Sequence, residues 1–495
     1  MYLLGYDIGS SSIKAALVDI STGKTLQVVH SPSNEMEMLA KASGWAEQDP
    51  ELWWTHVCLA TQQILRLYPD AAQQIKGIGI AYQMHGLVVV DENQEVLRPA
   101  IIWCDSRAVD IGRTAFTALG EKRCLEHLLN SPGNFTASKL KWVQENEPAI
   151  YTRIHKAMLP GDYIAMRLTG AISTTISGLS EGMLWDFKNN TLAGLVLDHY
   201  GIAADLIPTI VPTCSIQGTL NTQGAAETGL HPGIPVAYRA GDQPNNALSL
   251  NVLKPGEVAA TGGTSGVVYG LVDRAVYDME SRVNGFAHVN YQPQAPRIGI
   301  LLCINGAGSQ YSWIKQQIAK SGLSYEEMEQ QMATLPIGAD GLRVLPFGNG
   351  AERMLGDRNL GACINNLQFN QHTRTHLYRA ALEGIAFSFV YGIDLLKNLG
   401  LQLNGLRVGN DNLFQSAIFA HTIATLLGNQ IEVVETTGAV GAAKAAGVAT
   451  RHYAHLEEAM QNVQVLYQYE PQTLRAPYEA AYALWREDLN KRLEE

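Results

Sequence analysis

Short apolar runs alternate with amphipathic segments along the whole chain. Tyr2 to Tyr6, Ile13 to Val18 and Thr25 to Val29 read as three strands of a meander, with Thr22-Gly23 as a turn signal before the third. Glu51 to Tyr68 repeats apolar residues at helical spacing behind Pro50. Ile75 to Ala81 and Leu87 to Val90 are buried-strand runs, and Asp91 to Gln94 is a hairpin turn. Helices are predicted to open near Phe135 and Leu159, and Asn245 starts another after Asp242. Further on, Glu257 to Ala260, Val267 to Leu271, Ile298 to Ile304, Gly341 to Pro346, Gly405 to Gly409 and Ile431 to Val434 read as strands. Between and after them come a long amphipathic helix, Thr373 to Leu399, then Ser416 to Leu427 and the small-residue helix Gly438 to Gly447. Strands and helices in alternation predict an α/β protein.

One plan occurs twice. The strand at Tyr2 runs into Asp7-Ile-Gly-Ser-Ser-Ser12, and the strand at Glu257 runs into Thr261-Gly-Gly-Thr-Ser-Gly266. Glycine lets backbone approach an anion, the hydroxyls donate hydrogen bonds, and Lys14 adds charge. Either turn alone is equally well a hydroxyl-rich hairpin. Their repetition predicts a duplicated nucleotide-binding unit, with a triphosphate clamped between the two turns. The division is placed near Gly233 to Tyr238, giving residues 1–237 and 238–495.

A length of 495 residues fits two or more domains. Hydrophobic content of 46% and charged content of 17% are those of an ordinary globular chain. The net charge of -11 argues against nucleic acid or an anionic membrane as the main partner. Six cysteines without paired spacing indicate neither a zinc site nor a disulfide framework. The N-terminus lacks a basic start and a long apolar region, so no signal peptide is expected. No apolar run is long enough to span a bilayer, and a reducing, cytoplasmic setting is the simplest expectation.

Asp242, directly after Gly241, reads as a helix cap or as a carboxylate that takes a proton from an attacking hydroxyl. Met84-His85-Gly86 stands at a strand end, where an imidazole and a backbone N–H can meet a polyol. Asp105 could accept bonds from hydroxyls, and Arg107 could anchor either Asp105 or the ligand. Trp103 reads as packing.

In this order the motifs resemble the FGGY family of carbohydrate kinases across nearly the whole chain. Asp7 to Lys14 is similar to the family's first phosphate loop, and Phe135 to Trp142 to its lysine-and-tryptophan signature. Gly241-Asp242 is similar to its catalytic aspartate motif, and Gly263-Thr264-Ser265 to its second phosphate loop. Glu352-Arg353 and Glu383-Gly384 fall where the family has matching pairs. Gln83 to Gly86, Leu97 to Trp103, Asp105, Arg107 and Leu159 to Tyr163 resemble the xylulokinase branch.

The resemblance implies an actin-like, ribonuclease-H-like fold: two α/β domains around a cleft, the first for sugar and the second for nucleotide. It implies ATP-dependent phosphorylation of a sugar hydroxyl, D-xylulose first and another pentulose, hexulose or polyol as the alternative. An actin-like ATP-binding regulator is the reading from a different class. Asp242 is then the general base, Asp7 holds Mg²⁺, and Met84, His85, Gly86, Asp105, Arg107 and Asp242 meet the sugar. Gly9, Ser10, Ser11, Lys14, Gly263, Thr264, Ser265, Gly306 and Gly348 are expected on the ATP side. The chain departs from the family where a Gly-Gly-Gly-Ala turn is usual near adenine; Gly409 to Ser416 has lost the glycine run. Either Asn410 or Asn412 bonds the ring edge, or the purine is held loosely through its phosphates, the outcome favoured here. A homodimer is left open as the assembly.

Overall fold

The computed structural model describes residues 1–410 and 412–495; Asp411 and the side chain of Asn412 lie outside the described residues. Two sheets organise the chain. The first has six strands in the order Cys214–Thr219, Pro235–Gly241, Ile75–Tyr82, Tyr2–Ile8, Ile13–Asp19 and Thr25–Ser31. The second has seven, in the order Asn284–Ala287, Ile298–Ile304, Gly266–Val272, Glu257–Gly262, Gly405–Gly409, Ile431–Glu435 and Gln464–Tyr469.

Both sheets share one topology. An antiparallel meander of three strands supplies one side, its first strand lying innermost. Two strands then add parallel to that first strand, and an antiparallel strand closes the row. The strand Asn284–Ala287 extends the second sheet at its meander edge. The expected duplication is thus present at the level of strand order. This is the actin-like, ribonuclease-H-like architecture. The strand Pro235–Gly241 crosses the expected division at 237/238 and is hydrogen-bonded inside the first sheet.

Central strands of the first sheet are buried on both faces, which is why Leu3, Leu4 and Ile78 to Tyr82 read as near-continuous apolar runs. One face carries the helix Pro50–Leu67, whose Trp53, Val57 and Ile64 join Leu4, Tyr6 and Leu17. The other face carries a helix from the far end of the chain, Gly438–Ala449. Its alanines pack with Leu3, Ala16 and Val18, and with Ala81, Ala237 and Ala240.

That contact is backbone against backbone. A Cβ on Gly5 would lie 1.9 Å from the Ala439 carbonyl oxygen, and one on Gly79 would lie 1.9 Å from that of Ala442. The helix also crosses Asp242–Ser249, where a Cβ on Gly441 would lie 1.9 Å from Ser249 Oγ. Small residues are therefore a packing requirement here. Helix Asp242–Ser249 starts at Asp242, ahead of the expected Asn245; Pro244 is tolerated because first-turn N–H groups have no intrahelical partner. Among the described residues no helix is long and apolar enough to cross a membrane.

Candidate active site

Strand register assembles the site. Ile8 pairs with Tyr82, and Tyr82 pairs with Gly241, all three strands running parallel. Residues that follow these pairs emerge at one edge of the sheet, roughly 5 Å apart from strand to strand. They are the turn Gly9 to Ser12, the segment Gln83 to Gly86, and Asp242. In the second sheet, Ala260 pairs with Val408 and Gly409 with Val434, which brings Thr261, Gly409 and Thr436 to the facing edge. Ligands of open α/β sheets collect at such carboxyl ends. A cavity of about 570 Å³ lies between the two edges, lined by Asp7, Gly9, Ser10, Ser11, Lys14, Gln83, Trp103, Asp242 and Thr436 to Gly438, among others.

Two carboxyl groups share this cavity. Asp7 stands opposite Lys14 in the first hairpin, and Lys14 opposite His30 in the second. Burial raises the proton affinity of Asp7, and the charges of Lys14 and His30 oppose that rise. Burial, then the neighbouring Asp7, pushes Asp242 up to about 7, against hydrogen bonds from Gln243 and the charge of Lys14. Asp242 is the first residue of its helix, so its side chain is held at the cleft end of a fixed element. A carboxyl that titrates near neutrality beside hydroxyl groups and a lysine can accept a proton from a bound alcohol.

Next to this cavity is a second, about 990 Å³, lined by Gly263, Thr264, Tyr311, Tyr325, Asn410 and Leu413, among others. Tyr311 and Tyr325 stack with centroids 5.1 Å apart, and Lys315 lies over the Tyr325 ring. Asn410 Oδ1 accepts from the Tyr467 hydroxyl at 2.9 Å. Ser265 is half-buried and lines neither cavity. Two expected nucleotide contacts are corrected here. The Gly306 N–H donates to Glu352 Oε1 at 3.1 Å, and a Cβ on Gly306 would meet the Pro346 carbonyl, so this glycine is a packing position. Gly348 packs against Ala362 and also lines neither cavity. Asn412 cannot be placed, because its side chain lies outside the described residues.

His85 occupies the left-handed region, φ 62°, which turns its ring toward Glu181. Its Nδ1 donates to the Glu181 carbonyl oxygen at 2.9 Å, which can only accept. The proton is therefore on Nδ1, and Nε2 is left as an acceptor. Burial pushes the imidazole down to about 3, so it stays neutral. Phe135 packs edge-on to it at 4.6 Å. Met84 is buried, with Cγ against Gly241. Gly86 packs on Pro160, which leaves no room for a side chain, and its carbonyl accepts from Thr136 Oγ1.

Contrary to the sequence expectation, Asp105 is committed to protein groups rather than to a ligand, and of the two readings left open for Arg107 the structure shows it anchoring Asp105. Asp105 is fully buried, and its oxygens accept from the Ala46 N–H at 2.6 Å, from the Arg107 N–H and from the Arg107 guanidinium. Arg107 also bonds Glu47 at 2.8 Å and lies over the rings of Trp45 and Trp142 at 3.8 and 4.7 Å. The pair holds the loop, with both side chains buried. Trp103 is corrected in the opposite direction: it is 53% exposed, lines the central cavity and donates from Nε1 to Ser10 Oγ at 3.3 Å.

Sequence reasoning left out Gln83 as a site residue, although its motif was quoted; its amide is buried and unpartnered at the cavity wall. It also left out Thr436 to Gly438. The signal there was a Thr-Thr-Gly start to a small-residue helix, and that helix start lines the cavity. Glu181 had no signal: its carboxyl is buried beside Gly241 and held strongly protonated by burial.

Comparison with known proteins agrees with this construction. The N-terminal domain of the FGGY family of carbohydrate kinases matches residues 2–249, and the family's C-terminal domain matches residues 258–450. A xylulose kinase of Bacillus subtilis is 30% identical over 468 residues, covering 92% of this chain and 90% of that protein. A xylulose kinase of Escherichia coli K12 is 28% identical over 445 residues, covering 90% and 88%. A crystal structure of a kinase from Brucella ovis, described as a xyloylose kinase, superposes with a TM-score of 0.90 at 27% identity, covering 99% of each chain. With two family domains in order over most of its length and a cleft built from both, the chain belongs to the FGGY family of carbohydrate kinases and is a carbohydrate kinase.

Proposed function

We propose that the chain transfers the γ-phosphoryl group of ATP to the 5-hydroxyl of D-xylulose, with Asp242 as the general base. The observation that carries this is the placement of Asp242, at a helix start and titrating near neutrality, in one cavity with a hydroxyl turn, Lys14 and the Gln83 wall. The sugar is taken from the relatives' names. The lobe ending with helix Asp242–Ser249 takes the sugar, and the lobe from Glu257 onward takes the nucleotide.

Asp242 accepts the proton of the sugar hydroxyl as that oxygen bonds to the γ-phosphorus. The bond from phosphorus to the β–γ bridging oxygen breaks, and ADP leaves with its electron pair. The turn Gly9 to Ser12, with Lys14, holds phosphate oxygens, while Gly263 and Thr264 do so from the opposite lobe. His85 Nε2 accepts from a sugar hydroxyl, and Gln83 offers both a donor and an acceptor. Mg²⁺ fits the site: Asp7 raises the proton affinity of Asp242, so the pair has charge for a divalent cation to neutralise. Asp7 would hold it, since Mg²⁺ favours one or two carboxylates and keeps much of its water. When bound it offsets charge on the phosphate oxygens.

A panel of pentuloses, hexuloses and polyols with ADP release as readout tests the assignment. D-xylulose giving the highest kcat/KM supports it. A higher value for another sugar replaces the substrate, and ADP release that no sugar stimulates overturns the reading.

A further inference from the structure

Lys139 has no exposed surface. Its ammonium donates to the carbonyl oxygen of His85 at 2.8 Å and to that of Ile102 at 3.0 Å. The first carbonyl belongs to the segment Gln83 to Gly86, and the second lies one residue before Trp103. Lys139 itself sits on a third element, the helix Thr136–Asn146. One side chain thus joins the two walls of the sugar end of the cleft.

The pattern is not that of an ordinary ion pair. Asp105, the charge that most favours the ammonium, is already bridged to Arg107 at 2.7 Å. Cys104, Arg107, Glu181 and the neutral His85 imidazole also lie near Lys139, and burial outweighs the charges that favour the ammonium, bringing it down to about 7. Burying an ammonium is costly unless it is closely partnered. Here the partners are backbone, on two loops that carry ligand-facing groups. One of them is the carbonyl of His85, a non-glycine residue held at positive φ. Such a conformation persists only where the surroundings determine it. Turning that carbonyl would turn the imidazole off the Glu181 oxygen and redirect Nε2.

We propose that Lys139 is a positioning residue that fixes the spacing and orientation of the two sugar-facing loops, and thereby sets sugar affinity separately from phosphoryl transfer. The inference rests on the reading that Gln83, His85 and Trp103 face the sugar.

The test uses Lys139→Met, which keeps length without donors, and Lys139→Gln, which keeps neutral donors. His85→Ala runs beside them as a control for the sugar pocket. In Lys139→Met the KM for D-xylulose rises about tenfold or more, the scale of losing hydrogen bonds to a charged group. In the same variant kcat stays within about threefold and the KM for ATP is unchanged, because uniform ground-state and transition-state binding has been removed. Lys139→Gln recovers part of the sugar affinity. An unchanged sugar KM in both variants, with a raised KM in His85→Ala, overturns the role of Lys139 alone. An unchanged KM in all three overturns the sugar-pocket reading beneath it. Collapse of kcat at unchanged KM, or insoluble protein from both substitutions at Lys139, assigns the lysine to chemistry or to folding and also overturns the proposal.

Discussion

Asp7 raises the proton affinity of Asp242 across the floor of the cleft, and Lys14 opposes it. The proposed base needs its ionised form, so kcat/KM for sugar falls about tenfold per pH unit on the acid side of a limb near 7 and levels above it. Lys14→Met moves the limb to higher pH, since the lysine lowers the proton affinity of Asp242. A profile flat over about pH 5.5 to 8 at constant ionic strength would remove Asp242 from the role.

Asp242→Asn keeps the shape of the side chain and loses the proton acceptor. Turnover drops by about 10²–10⁴, while sugar affinity measured by calorimetry stays near that of the parent protein. Turnover close to the parent value would exclude the assignment.

The same residue weighs on stability. Its folded-state proton affinity lies above the ordinary carboxylate value, so the folded state binds more protons than the unfolded one between about 4 and about 7. Its contribution is present at low pH and is lost as pH rises through about 7. Ligand-free Asp242→Asn is therefore more stable than the parent at pH 8 by about 1 kcal/mol, discounted for cleft water, and the gap closes toward pH 4. Thermal melts at both ends check this; a variant equally stable or less stable at pH 8 contradicts it.

Gly79→Ala forces a methyl into the Ala442 carbonyl, 1.9 Å from where it must sit, and neither backbone can step aside. Destabilisation of about 3 kcal/mol or more is expected from such overpacking. Gly405→Ala, where nothing lies within 4 Å of the new atom, serves as the matched control with little change. Equal urea midpoints for the two variants would refute the close contact.

Nucleobase choice is also open to kinetics. The Oδ1 of Asn410 is already bonded to Tyr467, and the adjoining cavity is large for a purine. GTP or ITP then serves with a kcat/KM within about tenfold of ATP, about 1.4 kcal/mol in transition-state binding, and Asn410→Ala leaves that ratio nearly unchanged. A preference for ATP far above tenfold that Asn410→Ala abolishes would show that this side chain reads the ring.

Most of the secondary structure was legible because it is written in local apolar spacing: the strand Ile298–Ile304 and the helix Arg374–Asn398 fall within a residue of their expected ends. Motif order supplied the cleft and its carboxyl groups. What escaped depends on neighbours far away in sequence. Arg107 reads equally as an anchor for Asp105 or for the ligand until Trp45 and Trp142 close over it. Trp103 reads as core until the cavity opens beside it. Lys139 stands in the signature segment Phe135 to Trp142 without a role of its own, because nothing near it in sequence announces the carbonyls of His85 and Ile102. Gly306 and Gly348 show the reverse error, since a glycine needed for close packing looks identical in sequence to one that cradles phosphate.

The helix Gly438–Ala449 covers a sheet whose last strand in sequence ends at Gly241. During synthesis the ribosome releases that sheet roughly 200 residues before its cover; at about 5–20 residues per second the delay is on the order of 10–40 s. Throughout that interval Leu3, Ala16, Val18, Ala81 and Ala240 face water or a chaperone. The first half of this chain, released by a premature stop, would carry that uncovered face permanently and be a substrate for aggregation and proteolysis.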